Sequence, residues 1–182
     1  LRGDETADRT RRFQDQVLIH LDAAYGLARY MTRDPVAAED IVQDAFLRAH
    51  RAFDGFRGGD ARAWLLTIVR NNVHSWAAAR RDRAEQALES VPGQGADIAD
   101  EAAPTPEAWL AAQEDAADLR TLIEGLPPAF RETLLLREME EMSYRDIAAV
   151  TGAPVGTVMS RLARARDLLA AAWRRREAGE TR

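Results

Sequence analysis

The sequence predicts an all-α fold: two small helical domains joined by a flexible acidic linker, the C-terminal one a helix-turn-helix. Apolar residues recur at i, i+3 and i+4 over long stretches, and no stretch alternates convincingly with a period of two. Alanine is abundant and β-branched runs are short, which favours helix. Acidic charge collects between residues 81 and 130, where 3 Arg stand against 11 acids; the flanks carry 12 Arg with 11 acids and 10 Arg with 8.

Phe13, Val17, Leu21, Ala24 and Ala28 mark the apolar face of a first helix over 11–32. Asp34-Pro35 restarts the chain, since Asp caps a helix and Pro suits its first position. A second helix runs to about Phe53, where Asp54-Gly55-Phe56-Arg57-Gly58-Gly59 breaks it. Asp60 is the N-cap of a third helix through about Arg81. Residues 10–83 make the first domain. The 84–106 segment contains Pro92-Gly93-Gln94-Gly95 and an acidic, turn-rich stretch from Ala99 to Pro106. It has too few large apolar residues to offset its ordering entropy and reads as the linker. The second domain, 107–176, opens on a helix with Thr105 as N-cap and Pro106 at N1, running to Glu124. Gly125-Leu126-Pro127-Pro128 stops it, and helices follow over about 129–140, 143–151 and 155–176.

Composition excludes several chemistries. The chain has 182 residues and no Cys, so disulfides, thiolate metal sites and a Cys nucleophile are absent. It has no GxxxxGK or HExxH, and its three His (His20, His50, His74) lie far apart in sequence, so no enzyme activity, catalytic residue, metal or cofactor is expected. No apolar run approaches the roughly 20 residues of a membrane span. Residues 1–12 are charged and carry no secretion signal, so a cytoplasmic protein without membrane insertion is expected. All 25 basic residues are Arg. A sequence pI near 5.3 still permits a polyanionic partner, because the local field decides.

Three helices carry candidate binding faces. Ser143-Tyr144-Arg145-Asp146 has the form of a capping box, and Thr151-Gly152-Ala153-Pro154 that of a turn into the next helix. In that next helix Val155, Val158, Leu162, Ala165, Leu169 and Ala172 form one apolar stripe. At about 100° per residue Thr157, Ser160 and Arg164 share a flank about 60° wide, with Arg161 at its border and Met159 across the exposed arc. Short donors near a helix N-terminus suit phosphates, and Arg further along suits guanine edges. An ordinary helical hairpin with a solvated Arg face has similar spacing; capping box, Gly turn and Arg stripe together favour DNA.

In the third helix Leu65, Val69, Val73 and Trp76 share one face, while Thr67, Arg70, Asn71, His74 and Arg81 lie opposite within about 100°. Cations, an amide and an imidazole beside Trp64 suit phosphate contact and capture of an unstacked base. On periodicity alone Trp64 reads better as core filler and His74 as a surface residue, while Asn71 stays open. In the second helix Asp40, Asp44, Leu47 and Arg51 fall in one sector about 60° wide, with Gln43 beside it. This is either a docking face for a basic partner helix or a solvated ladder of Asp40, Asp44 and Arg48, and spacing favours the ladder.

Taken in order, Asp34-Pro35-Val36-Ala37-Ala38-Glu39-Asp40-Ile41-Val42-Gln43-Asp44-Ala45-Phe46-Leu47-Arg48-Ala49, Ala61-Arg62-Ala63-Trp64-Leu65 and Ile68-Val69-Arg70-Asn71 form the first part of a specific series. Leu126-Pro127-Pro128-Ala129-Phe130-Arg131-Glu132, Leu135-Leu136-Arg137-Glu138, Ser143-Tyr144-Arg145-Asp146-Ile147-Ala148 and the run from Gly156 to Arg166 complete it. The series resembles the extracytoplasmic-function branch of the bacterial sigma factors of RNA polymerase, in the sigma-70 family, from roughly Phe13 to Trp173. The resemblance implies that Asp40, Gln43, Asp44 and Leu47 dock on the clamp coiled coil of the polymerase β′ subunit. It implies that the third helix opens and holds the promoter minus-ten element, with Asn71 lining a pocket for a flipped base. Arg62, Trp64, Arg70, His74 and Arg81 would support it. The last helices would bind the minus-thirty-five element as duplex, through Thr157, Ser160, Arg161 and Arg164 with Arg145 on phosphate. Contact with the polymerase β flap and control by an anti-sigma factor are also implied. The chain departs from the family at Met159 and Ala163, where a basic or larger side chain is common, and Met159 is expected to touch thymine methyls.

The linker length agrees with that reading. Its 23 residues span at most about 76–83 Å extended, against roughly 68–72 Å for two duplex turns. Its acids, from Asp97 to Glu107, are expected to lie against the Arg faces of the free protein and suppress lone DNA binding. Two other functions compete. A stand-alone helix-turn-helix regulator, dimeric on a palindrome, requires a dimerisation face and a sensor pocket that are not visible. A protein that only sequesters another factor leaves the Arg stripe unexplained.

Overall fold

Hydrogen bonds local to the chain start and stop most of the helices. Asp34 accepts from the Ala37 amide at 3.1 Å and Asp60 from the Ala63 amide at 3.0 Å, so both Asp caps act as expected. The computed structural model describes residues 2–88 and 117–180. It contains α1 (Arg2–Gln16), α2 (Leu21–Thr32), α3 (Pro35–Ala52), α4 (Ala61–Leu88), α5 (117–125), α6 (Pro128–Glu138), α7 (Tyr144–Thr151) and α8 (Val155–Glu180). Short 3-10 turns lie at Leu18–His20 and Phe53–Gly55, and no strand occurs among the described residues.

The first helix differs from the expected continuous element over 11–32. It starts at Arg2 and breaks at Val17–His20, with no Gly or Pro to mark the break. The cause is tertiary. Arg9 pairs with Asp54 at 2.7 Å and donates to the His50 carbonyl, which ties α1 to the end of α3. Leu21, expected on the buried face, is consequently 45% exposed. α4 continues to Leu88 rather than stopping near 81, because residues 82–88 are mostly helix formers. Helix therefore extends into the expected linker from 84. The rest of that linker, and the Thr105 and Pro106 helix start, lie outside the described residues. α8 runs to Glu180 instead of ending near 176.

α2, α3 and α4 pack together, and α7 and α6 pack on α8. The two groups also meet: α2 packs on α6 and α4 on α7. One apolar cluster runs from Phe13 and Val17 through Leu65, Leu66 and Val69 to Leu136, Ile147 and Leu162. Trp64 joins its edge, with its ring 4.9 Å from Phe56, which stacks on Phe53.

Candidate nucleic-acid interface

The helix-turn-helix is set by its two ends. Ser143 Oγ accepts from the Asp146 amide at 3.2 Å, which starts α7. The reciprocal half of the expected capping box is replaced: the Ser143 hydroxyl itself donates to the Asp146 carboxylate. Gly152 ends α7 at φ +67°, in the left-handed region that Gly enters without steric strain. Arg137 holds the turn before α7, donating to the Met142 carbonyl at 2.7 Å with its guanidinium 5.2 Å from the Tyr144 ring.

α8 buries Val158, Leu162 and Ala165 and turns its other side outward. Ser160 and Arg164 are exposed there, with Thr157 and Arg161 half-buried, and Arg145 is exposed on α7. The Ser160 hydroxyl donates to the Thr157 carbonyl at 3.0 Å, leaving its lone pairs outward. Arg145, Arg161 and Arg164 have no acidic partner within 4.0 Å among the described residues. Arg166 behaves differently: Glu138 holds it at 2.6 Å, and that hydrogen bond and charge raise its pKa. Met159 is 52% exposed between these side chains.

The expected face of α4 is divided. Asn71 and Arg81 are exposed, whereas neighbouring Asn72 is buried, with its amide nitrogen 3.4 Å from the Ile41 carbonyl. Arg70 Nε lies 2.8 Å from a Glu132 oxygen, in an ion pair whose angle falls short of a hydrogen bond. His74 Nε2 is 3.3 Å from the same oxygen. Arg62 is 3.7 Å from Glu140. Glu132 and Glu140 follow the linker in sequence, so the acids that meet these cations belong to α6 and the turn after it. Trp64 is half-buried against Phe56, as core packing predicts.

On α3, Asp40, Gln43, Asp44 and Leu47 are all exposed on one side. The charge ladder that spacing favoured is not formed: no cation lies within 4.0 Å of Asp40 or Asp44 among the described residues. Beside Gln43 and Leu47 opens an apolar groove of about 690 Å³, floored by Phe13, Tyr25 and Phe46 and edged by Leu18, Leu21, Asp22 and Glu39. Periodicity missed this groove because it read Leu21 as core.

These faces define an all-α protein with an Arg-bearing helix-turn-helix and a second face that is acidic and apolar. Comparison with known proteins is specific. Residues 17–83 match the family model for sigma-70 region 2, and residues 116–169 match that for sigma-70 region 4. The RNA polymerase sigma-H factor of Pseudomonas aeruginosa is 36% identical over 92% of this chain and 86% of its own length. The ECF RNA polymerase sigma-E factor of Escherichia coli K12 is 34% identical over 79% of this chain and 76% of its own. Among solved structures, the sigma factor RpoE of Bartonella quintana, co-crystallised with the anti-sigma factor NepR, superposes with a TM-score of 0.73 at 29% identity. That match covers 90% of this chain and 98% of the other. CnrH, solved with the cytosolic domain of CnrY, gives a TM-score of 0.60 at 27% identity over 89% and 87%. The chain belongs to the sigma-70 family, in its extracytoplasmic-function branch. It is a sigma factor, the class of subunit that directs RNA polymerase to promoters.

Proposed function

We propose that this sigma factor divides promoter recognition between its halves, 10–83 and 107–176, while RNA synthesis stays with the polymerase. In the second half Thr157, Ser160, Arg161 and Arg164 contact the minus-thirty-five duplex, with Arg145 on a phosphate. In the first half Asn71 takes an unstacked minus-ten base, supported by Arg62, Trp64, Arg70, His74 and Arg81. Asp40, Gln43, Asp44 and Leu47 dock on the β′ clamp coiled coil, and the second half meets the β flap. The observation that carries the reading is the stripe of Arg145, Arg161 and Arg164 on the outer side of a helix-turn-helix, with no acidic partner within 4.0 Å among the described residues. Backbone phosphates would neutralise it, and guanine edges would select sequence.

Asp40 and Asp44, with no cation within 4.0 Å among the described residues, support the docking assignment, because a paired ladder would have little charge to offer a basic helix. An anti-sigma factor is a second partner: the Bartonella relative was crystallised with one. No helix among the described residues is long and apolar enough to cross a membrane, which fits work beside the polymerase in the cytoplasm. The test is reconstitution. Core polymerase plus this protein should start transcripts at a cognate promoter, whereas a stand-alone regulator would need a resident sigma subunit. Failure to bind core polymerase would overturn the reading.

A further inference from the structure

α8 has two chemically different edges. Thr157, Arg161 and Arg164 line one of them, which is polar and cationic. On the other edge Val155 is 40% exposed and Met159 52% exposed. At about 100° per residue these two lie about 40° apart, and Met159 lies about 140° from Arg164. Helical side chains lean toward the N-terminus, which carries Met159 over the turn that holds Val155. Gly156, Ser160 and Ala163 separate the two edges; all three are exposed and small, so they leave Met159 uncovered on that side. Charge is also withdrawn from the apolar edge. Arg166, two turns beyond Met159, is held by Glu138 at 2.6 Å, and further along Arg176 is paired with Asp118. An apolar strip therefore faces solvent beside the cations of Arg145, Arg161 and Arg164.

The base and phosphate contacts assigned to α8 make no use of this strip. Methionine has neither a charge nor a strong donor, so it gains nothing from a phosphate. In the major groove the base pairs present donors and acceptors, with one apolar exception, the C5-methyl group of thymine. The flexible, polarisable thioether chain adapts its tip to such a group. We infer that Met159 is a specificity-determining residue, which selects a T·A pair in the minus-thirty-five element by burying the thymine methyl against the apolar edge of α8. The inference rests on the assignment of α8 to that duplex. It makes the element composite: Arg on one edge takes guanine or phosphate, and Met159 on the other takes thymine. Loss of one methyl from the contact should weaken binding about fourfold, from the transfer free energy of one buried carbon group.

The test uses the holoenzyme, full chain plus core polymerase, and duplexes randomised across the minus-thirty-five region. Selection should enrich an element that holds thymine on one strand or the other. Each thymine is then replaced singly by uracil, which removes the methyl and keeps every hydrogen-bonding group. With the unaltered protein, affinity should fall about fourfold at one position or more. Met159 is exposed, so Met159→Ala keeps the fold, and it should bind the thymine and uracil duplexes alike at those positions. Arg164→Ala should weaken binding to both duplexes and preserve their ratio. An enriched element without thymine, or thymines indifferent to uracil, overturns the inference and leaves the assignment of α8 to the duplex standing. So does a methyl preference that survives in Met159→Ala or disappears equally in Arg164→Ala. No enrichment in the minus-thirty-five region by a holoenzyme that has assembled overturns that assignment, and the inference with it.

Discussion

The Arg131 guanidinium donates to the Tyr30 carbonyl at 3.1 Å, so a side chain from the second half of the chain caps the last turn of α2 in the first. Met31 accepts from the same nitrogen at 3.3 Å and Leu126 from the other at 2.8 Å. Burial lowers the pKa of Arg131 to about 10, with Arg33 adding to the effect and Glu124 opposing it. The group therefore stays charged at neutral pH, at the negative end of a helix dipole. Arg131→Met leaves three carbonyls without this donor and should lose about 2–4 kcal/mol of stability in urea or thermal unfolding. Arg131→Lys keeps the charge without the planar fork and should fall between. Unchanged stability in Arg131→Met would show that water replaces the cap.

The helix-turn-helix depends on two backbone devices that can be weakened separately. A Cβ on Gly152 would meet no atom within 4 Å, so Gly152→Ala is penalised by conformation alone at φ +67°. About 1–2 kcal/mol is expected. Ser143→Ala removes the N-cap of α7 and should lose about 1 kcal/mol. Both losses are measured by chemical denaturation. Gly152→Asn, whose side chain tolerates the left-handed region, should recover part of the first loss; no recovery would point to a steric origin.

What was legible in the sequence was local. Asp34, Asp60 and Ser143 each bond an amide three residues on, and Gly152 sets its own φ, so short patterns suffice. The 3.6-residue period also put Leu65, Val69 and Val73 on one apolar face, and all three are buried. The break at Val17–His20 was invisible because Arg9 meets residues 41 and 45 positions away. The same holds for Glu132: a helical wheel shows that Arg70 and His74 share a face without showing which acid will reach it. Long-range charge pairing is decided by packing, here by α2 on α6 and α4 on α7. The docking ladder failed for the converse reason. Spacing allows an Asp44–Arg48 pair, yet exposed side chains gain too little from pairing to be held in one geometry.

Asn71 and Arg164 should fail at different steps. Arg164→Ala should weaken the first, closed promoter complex by about 1–3 kcal/mol if the guanidinium reads a base, with relaxed preference at that position. Footprinting of polymerase on intact duplex measures it. Asn71→Ala should leave that complex in place and slow strand opening, followed by permanganate reactivity of unpaired thymines. Equal effects of both variants on the closed complex would contradict the division of labour between the halves.

Leu47 and Asp44 test the docking face without disturbing the core, since both are exposed and neither is in an ion pair within 4.0 Å among the described residues. Leu47→Asp and Asp44→Arg should keep the unfolding free energy within about 0.5 kcal/mol of wild type, as surface changes usually do. Each should weaken binding to core polymerase tenfold or more, on the order of 1.4 kcal/mol per factor of ten. Size-exclusion or interferometry with purified core enzyme reports this directly. Full binding by both variants would move the docking face elsewhere.

Glu140 makes a pH prediction with a definite sign. Its side chain is only 12% exposed and lies 3.7 Å from Arg62. Burial raises its pKa, and the attraction of Arg62 only partly offsets that. The folded protein therefore holds this proton more tightly than the unfolded chain. Between the ordinary glutamate value of about 4.3 and the raised one, the folded state binds more protons, so stability falls as pH rises through that window. At neutral pH the penalty of the buried charge is fully present. Glu140→Gln keeps the shape without the charge, so it should raise stability at neutral pH and flatten the profile just above the ordinary carboxyl range. Urea unfolding of both proteins across that range measures it. A variant less stable than wild type at neutral pH would show that the pull of Arg62 outweighs burial, and the sign would reverse.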